Sequence, residues 1–198
     1  MKLAVVGTGY VGLVAAVCFA SKGHSVTCLD KNQDIIKSLN DGRVHIFEPG
    51  LEELLQQNKA NLTFAENVES YDEFDVVFIA VGTPEKDDGT ANLTYVGDAF
   101  QEILAKSTQT PHIVIKSTVP PGTASALRNS VGAQPVEIVS NPEFLREAFA
   151  VQDFLNPERV VLGSSNMEAL SLAVKVYEAI VPNEKIIQLN SNESAELS

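Results

Sequence analysis

Six residues near the amino terminus, Gly7-Thr8-Gly9-Tyr10-Val11-Gly12, have the spacing G-x-G-x-x-G. Between a strand and a helix, each glycine in that spacing has its own task. Gly7 permits the tight turn, Gly9 lets a pyrophosphate approach the backbone, and Gly12 lets the helix pack close to the strand. The helix N-terminus then turns its free amides and the positive end of its dipole toward phosphate. Asp30 lies 18 residues past Gly12, where a carboxylate accepts hydrogen bonds from both ribose hydroxyls and repels a 2′-phosphate. That pairing favours NAD over NADP, although Lys31 beside Asp30 keeps NADP open.

A second set of residues lies later in the chain. Glu143 and Glu147 are two carboxylates four residues apart, with Arg146 between them. They are either a functional pair near a strand end or a solvated helix start with an intrahelical ion pair. Lys116 ends an apolar run and either faces the same edge or snorkels to the surface. Arg146, Arg159 and Lys86 could meet phosphate or serve as surface charge partners. Glu48-Pro49-Gly50 reads as a turn into a helix. Cys18 and Cys28 sit in apolar surroundings and read as buried, reduced thiols. His24, His45 and His112 show no metal-ligand spacing with a cysteine or acid, so no metal site is expected and the histidines read as surface residues.

The elements that must position these groups follow from the hydrophobic pattern. Short apolar runs predict strands over residues 3–6, 25–29, 62–64, 75–80, 113–116 and 136–139, and helical patterns fall at 13–20, 33–40, 51–57, 95–105, 123–129 and 167–180. The central runs are apolar without alternation, as in a parallel sheet covered on both faces. This is an α/β chain with a Rossmann-like, doubly wound parallel sheet in three α/β/α layers. The segments 82–92 and 140–157 read as loops after the carboxyl ends of strands, where ligands of such sheets sit. The formal net charge of −12 disfavours a nucleic-acid partner, and no run of residues is long and apolar enough for a membrane span. A hydrophobic content of 44% supports a core that needs no disulfide or metal. The expectation is a soluble, cytoplasmic protein.

Five motifs in order, Gly7 to Gly12, Glu48-Pro49-Gly50-Leu51, Gly82-Thr83-Pro84, Lys116-Ser117-Thr118-Val119-Pro120-Pro121-Gly122-Thr123 and Asn141-Pro142-Glu143-Phe144-Leu145-Arg146-Glu147, resemble the nucleotide-sugar dehydrogenases. Within the UDP-glucose/GDP-mannose dehydrogenase family the chain is most similar to the UDP-glucose 6-dehydrogenases. Enzymes of this kind oxidise a sugar C6 alcohol to the acid with two NAD, through covalent intermediates on a cysteine. The resemblance implies that Gly7, Gly9, Tyr10, Val11, Gly12, Asp30, Gly82, Thr83, Pro84, Ser117, Thr118 and Glu147 lie along the NAD site. It implies that Glu143, Phe144, Leu145, Arg146 and Glu147 face the sugar nucleotide, with Thr118, Glu143 and Glu147 the catalytic set in which Thr118 and Glu147 position or activate water.

The resemblance also implies a division of the chain: residues 1–190 form the NAD-binding domain, and 191–198 open a linking helix in which a catalytic lysine follows. Neither Cys18 nor Cys28 matches the family's nucleophile, so the chain by itself is expected to bind NAD without oxidising sugar. Because the family dimerises largely through the linking helix, the chain alone is expected to be monomeric and the whole protein a homodimer. The stretch 153–161 resembles the glucose enzymes more than the GDP-mannose ones, which makes UDP-glucose the expected partner, with UDP-N-acetylmannosamine and GDP-mannose as alternative partners and a non-catalytic NAD-binding module as an alternative reading of the chain. In separate calorimetric titrations NAD should bind saturably and more tightly than NADP, and Asp30→Ala should weaken NAD; a folded sample that binds neither would contradict the cofactor assignment.

Overall fold

The computed structural model describes residues 1–198. Eight strands form one sheet: β1 (Lys2–Val6), β2 (Ser25–Leu29), β3 (Leu62–Ala65), β4 (Val76–Ile79), β5 (His112–Ile115), β6 (Glu137–Ser140), β7 (Val160–Gly163) and β8 (Ile186–Leu189). Their spatial order is β3-β2-β1-β4-β5-β6-β7-β8. Six of the seven neighbouring pairs are parallel. The exception is β6–β7, which meet antiparallel at Ser140 and Gly163, so β7 and β8 run against the other six strands. Order reverses beside β1, which has β2 on one side and β4 on the other. That is the switch point where such a sheet opens a crevice.

Eight helices surround the sheet: α1 (Tyr10–Ser21), α2 (Gln33–Asn40), α3 (Leu51–Gln57), α4 (Thr94–Ala105), α5 (Thr123–Ser130), α6 (Ala150–Leu155), α7 (Met167–Glu178) and α8 (Asn192–Glu196). Alternation along the strands sorts side chains to the two faces. Leu3, Val5, Val76 and Phe78 join one core with α1, α3, α6 and α7, while Ala4, Val77 and Ile79 join a second core with α4 and α5. Each large side chain fully buried in this way contributes about 1.5–3 kcal/mol. Residues Gly12 to Ala20 of α1 are all buried, because the helix has the sheet on one side and α3 and α6 on others. Asn32 and Asn166 start α2 and α7 by accepting hydrogen bonds from amides two and three residues on.

The predicted strands and helices are present within a few residues. Helix α6 lies inside the stretch 140–157 read as loop, and β7 and β8 extend the sheet beyond the strands predicted. β8 is a half-exposed edge, and both strands are four residues long. The polar segment after Asn190 forms α8. Asn192 is buried there, and its side-chain amide donates to Ile138 O, Ser140 Oγ and Gly163 O, each at 3.1 Å. The brief antiparallel pairing of β6 with β7 leaves these acceptors to a side chain. Gly163 is also required, since a Cβ there would lie 2.4 Å from Ser191 O. Asn192→Ala should lower the unfolding free energy by about 2 kcal/mol in urea denaturation; a change within ~0.5 kcal/mol would mean that the amide does not hold this join.

Candidate functional site

The glycine turn leaves β1 at Val6. Gly7 has φ +96° and donates its amide to Leu29 O at 2.8 Å, and a Cβ on it would lie 2.7 Å from Ala80 O. A Cβ on Gly12 would lie 2.0 Å from Gly7 O, so α1 can sit this close to β1 only with glycine there. Gly9 is different: it is the N-cap residue of α1, no side chain caps the helix, and no atom stands within 4 Å of where its Cβ would point. The open space in front of Gly9 therefore faces uncapped helix amides.

Asp30 follows β2 and is bonded to the turn itself. Its Oδ2 accepts from Thr8 N at 2.8 Å and Thr8 Oγ1 at 2.7 Å, and its Oδ1 accepts from Asn32 N at 2.9 Å. Beside it opens a cavity of 270 Å³ lined by Gly7, Leu29, Asp30, Tyr71, Tyr95 and Ala99 among others, with Glu66, Asp98, Glu102 and Lys31 also on its wall. Lys31 pairs with Glu102 at 3.9 Å.

Across the switch point, two loops are stitched together. Ser117 donates its amide to Ile79 O at 3.0 Å and its hydroxyl to Val81 O at 2.7 Å, and Thr83 Oγ1 donates to Thr118 O at 2.9 Å. These bonds hold Gly82, Thr83 and Pro84, after β4, beside Ser117 and Thr118, after β5. Thr118 is exposed.

The segment carrying the two carboxylates follows β6 and is not helical between residues 141 and 146. Glu143 turns inward, its Oε2 2.5 Å from Lys116 Nζ and its Oε1 accepting from Phe144 N at 2.7 Å. Glu147 is exposed. Arg146 pairs with neither; it forms a bidentate bridge to Asp153 of α6 at 3.0 and 2.7 Å and stacks over Phe149. The reading of residues 143–147 as a helix start with its own ion pair therefore gives way, since the arginine reaches forward to the next helix. Arg146 holds the Asp153 carboxyl below the usual carboxylate range by hydrogen bonding. Ala148 is the one non-glycine residue with positive φ, at +66°. Its amide donates to Tyr10 Oη at 2.9 Å, and Tyr10 in turn donates to Glu48, whose Oε1 accepts from Val151 N at 3.3 Å. Burial and the Glu48 carboxylate push the Tyr10 hydroxyl up to about 12.

Residues 1–181 match the NAD binding domain of the UDP-glucose/GDP-mannose dehydrogenase family. The chain belongs to this family. It is 42% identical over 207 residues to the UDP-glucose 6-dehydrogenase of Rhizobium meliloti, which covers 100% of this chain and 47% of that protein. The UDP-glucose 6-dehydrogenase TuaD of Bacillus subtilis is 41% identical, over 99% of this chain and 44% of its own. Among solved structures, a UDP-glucose dehydrogenase from Pyrobaculum islandicum superimposes with a TM-score of 0.89 at 42% identity, covering 99% of this chain and 47% of that one. A GDP-mannose dehydrogenase from Pseudomonas aeruginosa superimposes with a TM-score of 0.90 at 32% identity, covering 100% and 48%. The chain thus spans about half the length of the relatives it matches.

The family's NAD-binding domain has a turn here that fits its cofactor. Gly7 and Gly12 have no room for a side chain, whereas Gly9 has open space before helix amides that no protein group caps, which suits a pyrophosphate. Acidic residues around the Asp30 cavity oppose an additional phosphate, and Lys31 is paired with one of them. Asp30 has a contact that spacing does not show: it fastens the glycine turn to the end of β2 through Thr8. The buried roles of Glu48 and Lys116 were likewise not visible in the chain order: a turn motif and a strand end gave no sign of contacts 103 and 27 residues away. Both cysteines are buried, Cys18 pushed up to about 12 and Cys28 raised further by burial, so both remain thiols. His24 departs from the surface reading; it is buried, edge-on to Phe19, with Nε2 3.1 Å from Val176 O.

Gly12→Ala should destabilise the fold by about 2 kcal/mol or more through the clash with Gly7 O. Gly9→Ala should change stability by less than ~0.5 kcal/mol yet weaken NAD binding. Thermal melts combined with cofactor titration separate the two, and equal destabilisation by both would contradict the assignment of open space to Gly9.

Proposed function

We propose that this chain is the NAD-binding half of a UDP-glucose 6-dehydrogenase, in which UDP-glucose is oxidised to UDP-glucuronate with two NAD. The observation that carries the reading is the convergence of three segments at the carboxyl ends of neighbouring parallel strands: the glycine turn after β1, the stitched loops after β4 and β5, and the Glu143 to Glu147 segment after β6. Such an edge is where one ligand can touch all three. Identity of about 40% to several UDP-glucose enzymes, against 32% and 30% to the GDP-mannose and UDP-D-ManNAc enzymes of known structure, favours glucose as the sugar.

In this reading the uncapped amides of α1 and the backbone at Gly9 to Val11 hold the pyrophosphate. Asp30, with Thr8 on Oδ2 and the Asn32 amide on Oδ1, offers the ribose the remaining acceptor position of Oδ1. Gly82, Thr83, Pro84, Ser117 and Thr118 form the wall along which the rest of the cofactor lies. Bound NAD supplies a hydride acceptor. Thr118 and Glu147, both exposed, position or activate water near the reacting carbon, and Phe144, Leu145 and Arg146 face the sugar nucleotide. Glu143 faces the same region, held by Lys116. The nucleophilic sulfur that the covalent steps need is supplied by neither Cys18 nor Cys28, both buried as thiols. Residues 191–198 serve as the opening of the linking helix and the whole protein as a homodimer.

The test joins residues 1–198 to the C-terminal half of the Bacillus subtilis relative and follows NADH formation. UDP-glucose should be turned over in preference to UDP-N-acetylmannosamine and GDP-mannose, and Glu147→Gln should lower kcat by about 10²-fold. The chain alone should form no NADH. Preference for another sugar nucleotide, or NADH formed by residues 1–198 unaided, would overturn the assignment.

A further inference from the structure

Lys116 is the most deeply buried charge in the molecule: its side chain is 3% exposed, and it stands on the floor of a 530 Å³ cavity. An unpaired ammonium in such a place costs several kcal/mol. Four groups surround it. Glu143 Oε2 lies 2.5 Å away, Asn141 Oδ1 and Tyr177 Oη lie 3.3 Å away, and the ring of Phe154 has its centroid 5.3 Å from Nζ. Tyr177 also donates to Asn141 Oδ1, and Asn141 Nδ2 donates to Val161 O at 2.9 Å, so the partners of Lys116 are themselves fixed by α7 and β7.

The other charged groups around this cavity are engaged elsewhere or sit at its rim. Asp153 is taken by Arg146, Arg159 lies over Phe144, and Glu158 is exposed at the mouth. Glu143 is therefore the single carboxylate within 4 Å of Lys116. Lys116 meets Oε2 and the Phe144 amide donates to Oε1, one contact on each carboxylate oxygen.

We propose that Lys116 is a positioning residue for the proposed sugar-nucleotide site: its buried ammonium clamps the Glu143 carboxyl group where it lines the cavity, and Asn141 and Tyr177 set the angle of the clamp. This rests on the assignment of residues 143–147 to that site. It gives the Lys116-Ser117-Thr118 motif two tasks on one short segment, Ser117 and Thr118 toward the cofactor wall and Lys116 beneath the acid. Burial alone would lower the ammonium, yet Glu143 and Tyr177 beside it raise it above the ordinary lysine range. Removing Glu143 should reverse that direction.

The experiment observes the lysine side chains of the 198-residue chain by carbon-13 NMR while pH is raised, in the wild type, Glu143→Gln, Lys116→Met and the double variant. In the wild type one lysine should stay charged above about pH 11, after the surface lysines have titrated, and its signal should be missing from Lys116→Met. In Glu143→Gln that lysine should lose its proton at least about two pH units lower. Tyr177→Phe should give a smaller shift in the same direction. The double variant, with both charges removed, should melt closer to the wild type than either single variant does. An ordinary titration of every lysine in the folded wild type would overturn the clamp, and that measurement requires no variant to fold. Strict additivity in the double variant would also overturn it. A parallel NAD titration keeps the two assignments apart: loss of cofactor binding with Lys116 behaving as described overturns the functional reading alone, whereas ordinary lysine titration in a sample that binds NAD overturns the clamp alone.

Discussion

The approach of Gly12 to the Gly7 carbonyl is the constraint on which most of this structure depends. A side chain of any size at Gly12 would occupy the space of that oxygen, so the first turn of α1 rests directly on the end of β1. Because the helix sits so close, residues Gly12 to Ala20 are buried all round and carry Phe19 deep into the core. Phe19 then meets Phe78 of β4, Phe154 of α6 and Tyr177 of α7 at ring-centroid distances of 4.9, 5.2 and 5.5 Å. Two of those rings, Phe154 and Tyr177, also flank Lys116. A glycine contact at the cofactor turn thus connects through close-packed side chains to the lysine beneath Glu143.

Tyr10 makes the same connection on the outer side. It belongs to the glycine turn by sequence, but its hydroxyl is held between Glu48 and the amide of Ala148. An alanine in the left-handed region costs about 1 kcal/mol, and here it is retained with its amide paired and the next helix tied to Glu48 through Val151. Loop 141–149 is therefore pinned at both ends, by Lys116 below Glu143 and by Tyr10 above Ala148. Buried ion pairs contribute little net stability relative to apolar packing, but losing one partner is costly because the other charge is left buried and unpaired.

The sheet, its winding and the glycine turn were legible in the sequence because they are local. A strand, six residues and a helix declare themselves within twenty positions, and Asp30 follows from the next strand end. Residues 143–147 were legible only as a motif. Neither their non-helical backbone nor the partnership of Arg146 with Asp153 could be read from two acids four apart, since spacing of that kind fits a helix equally well. Lys116 and Glu48 looked like a strand end and a turn because their partners are contributed by distant segments. The antiparallel edge was hidden for another reason: β7 and β8 are short, and Asn192 completes their junction with β6 by a side chain that composition alone marks as surface. His24 was misplaced by the same bias, a polar type buried against a helix end.

Whether one crevice beginning at the glycine turn receives the dinucleotide can be read from the amide spectrum of the nitrogen-15-labelled chain as NAD is added. Saturable shifts are expected at Gly9, Tyr10, Val11, Lys31, Thr83 and Thr118, with the α8 amides and Gly163 unmoved. Shifts that bypass Gly9 to Val11, or that gather only around the cavity beneath Glu143, would contradict that placement.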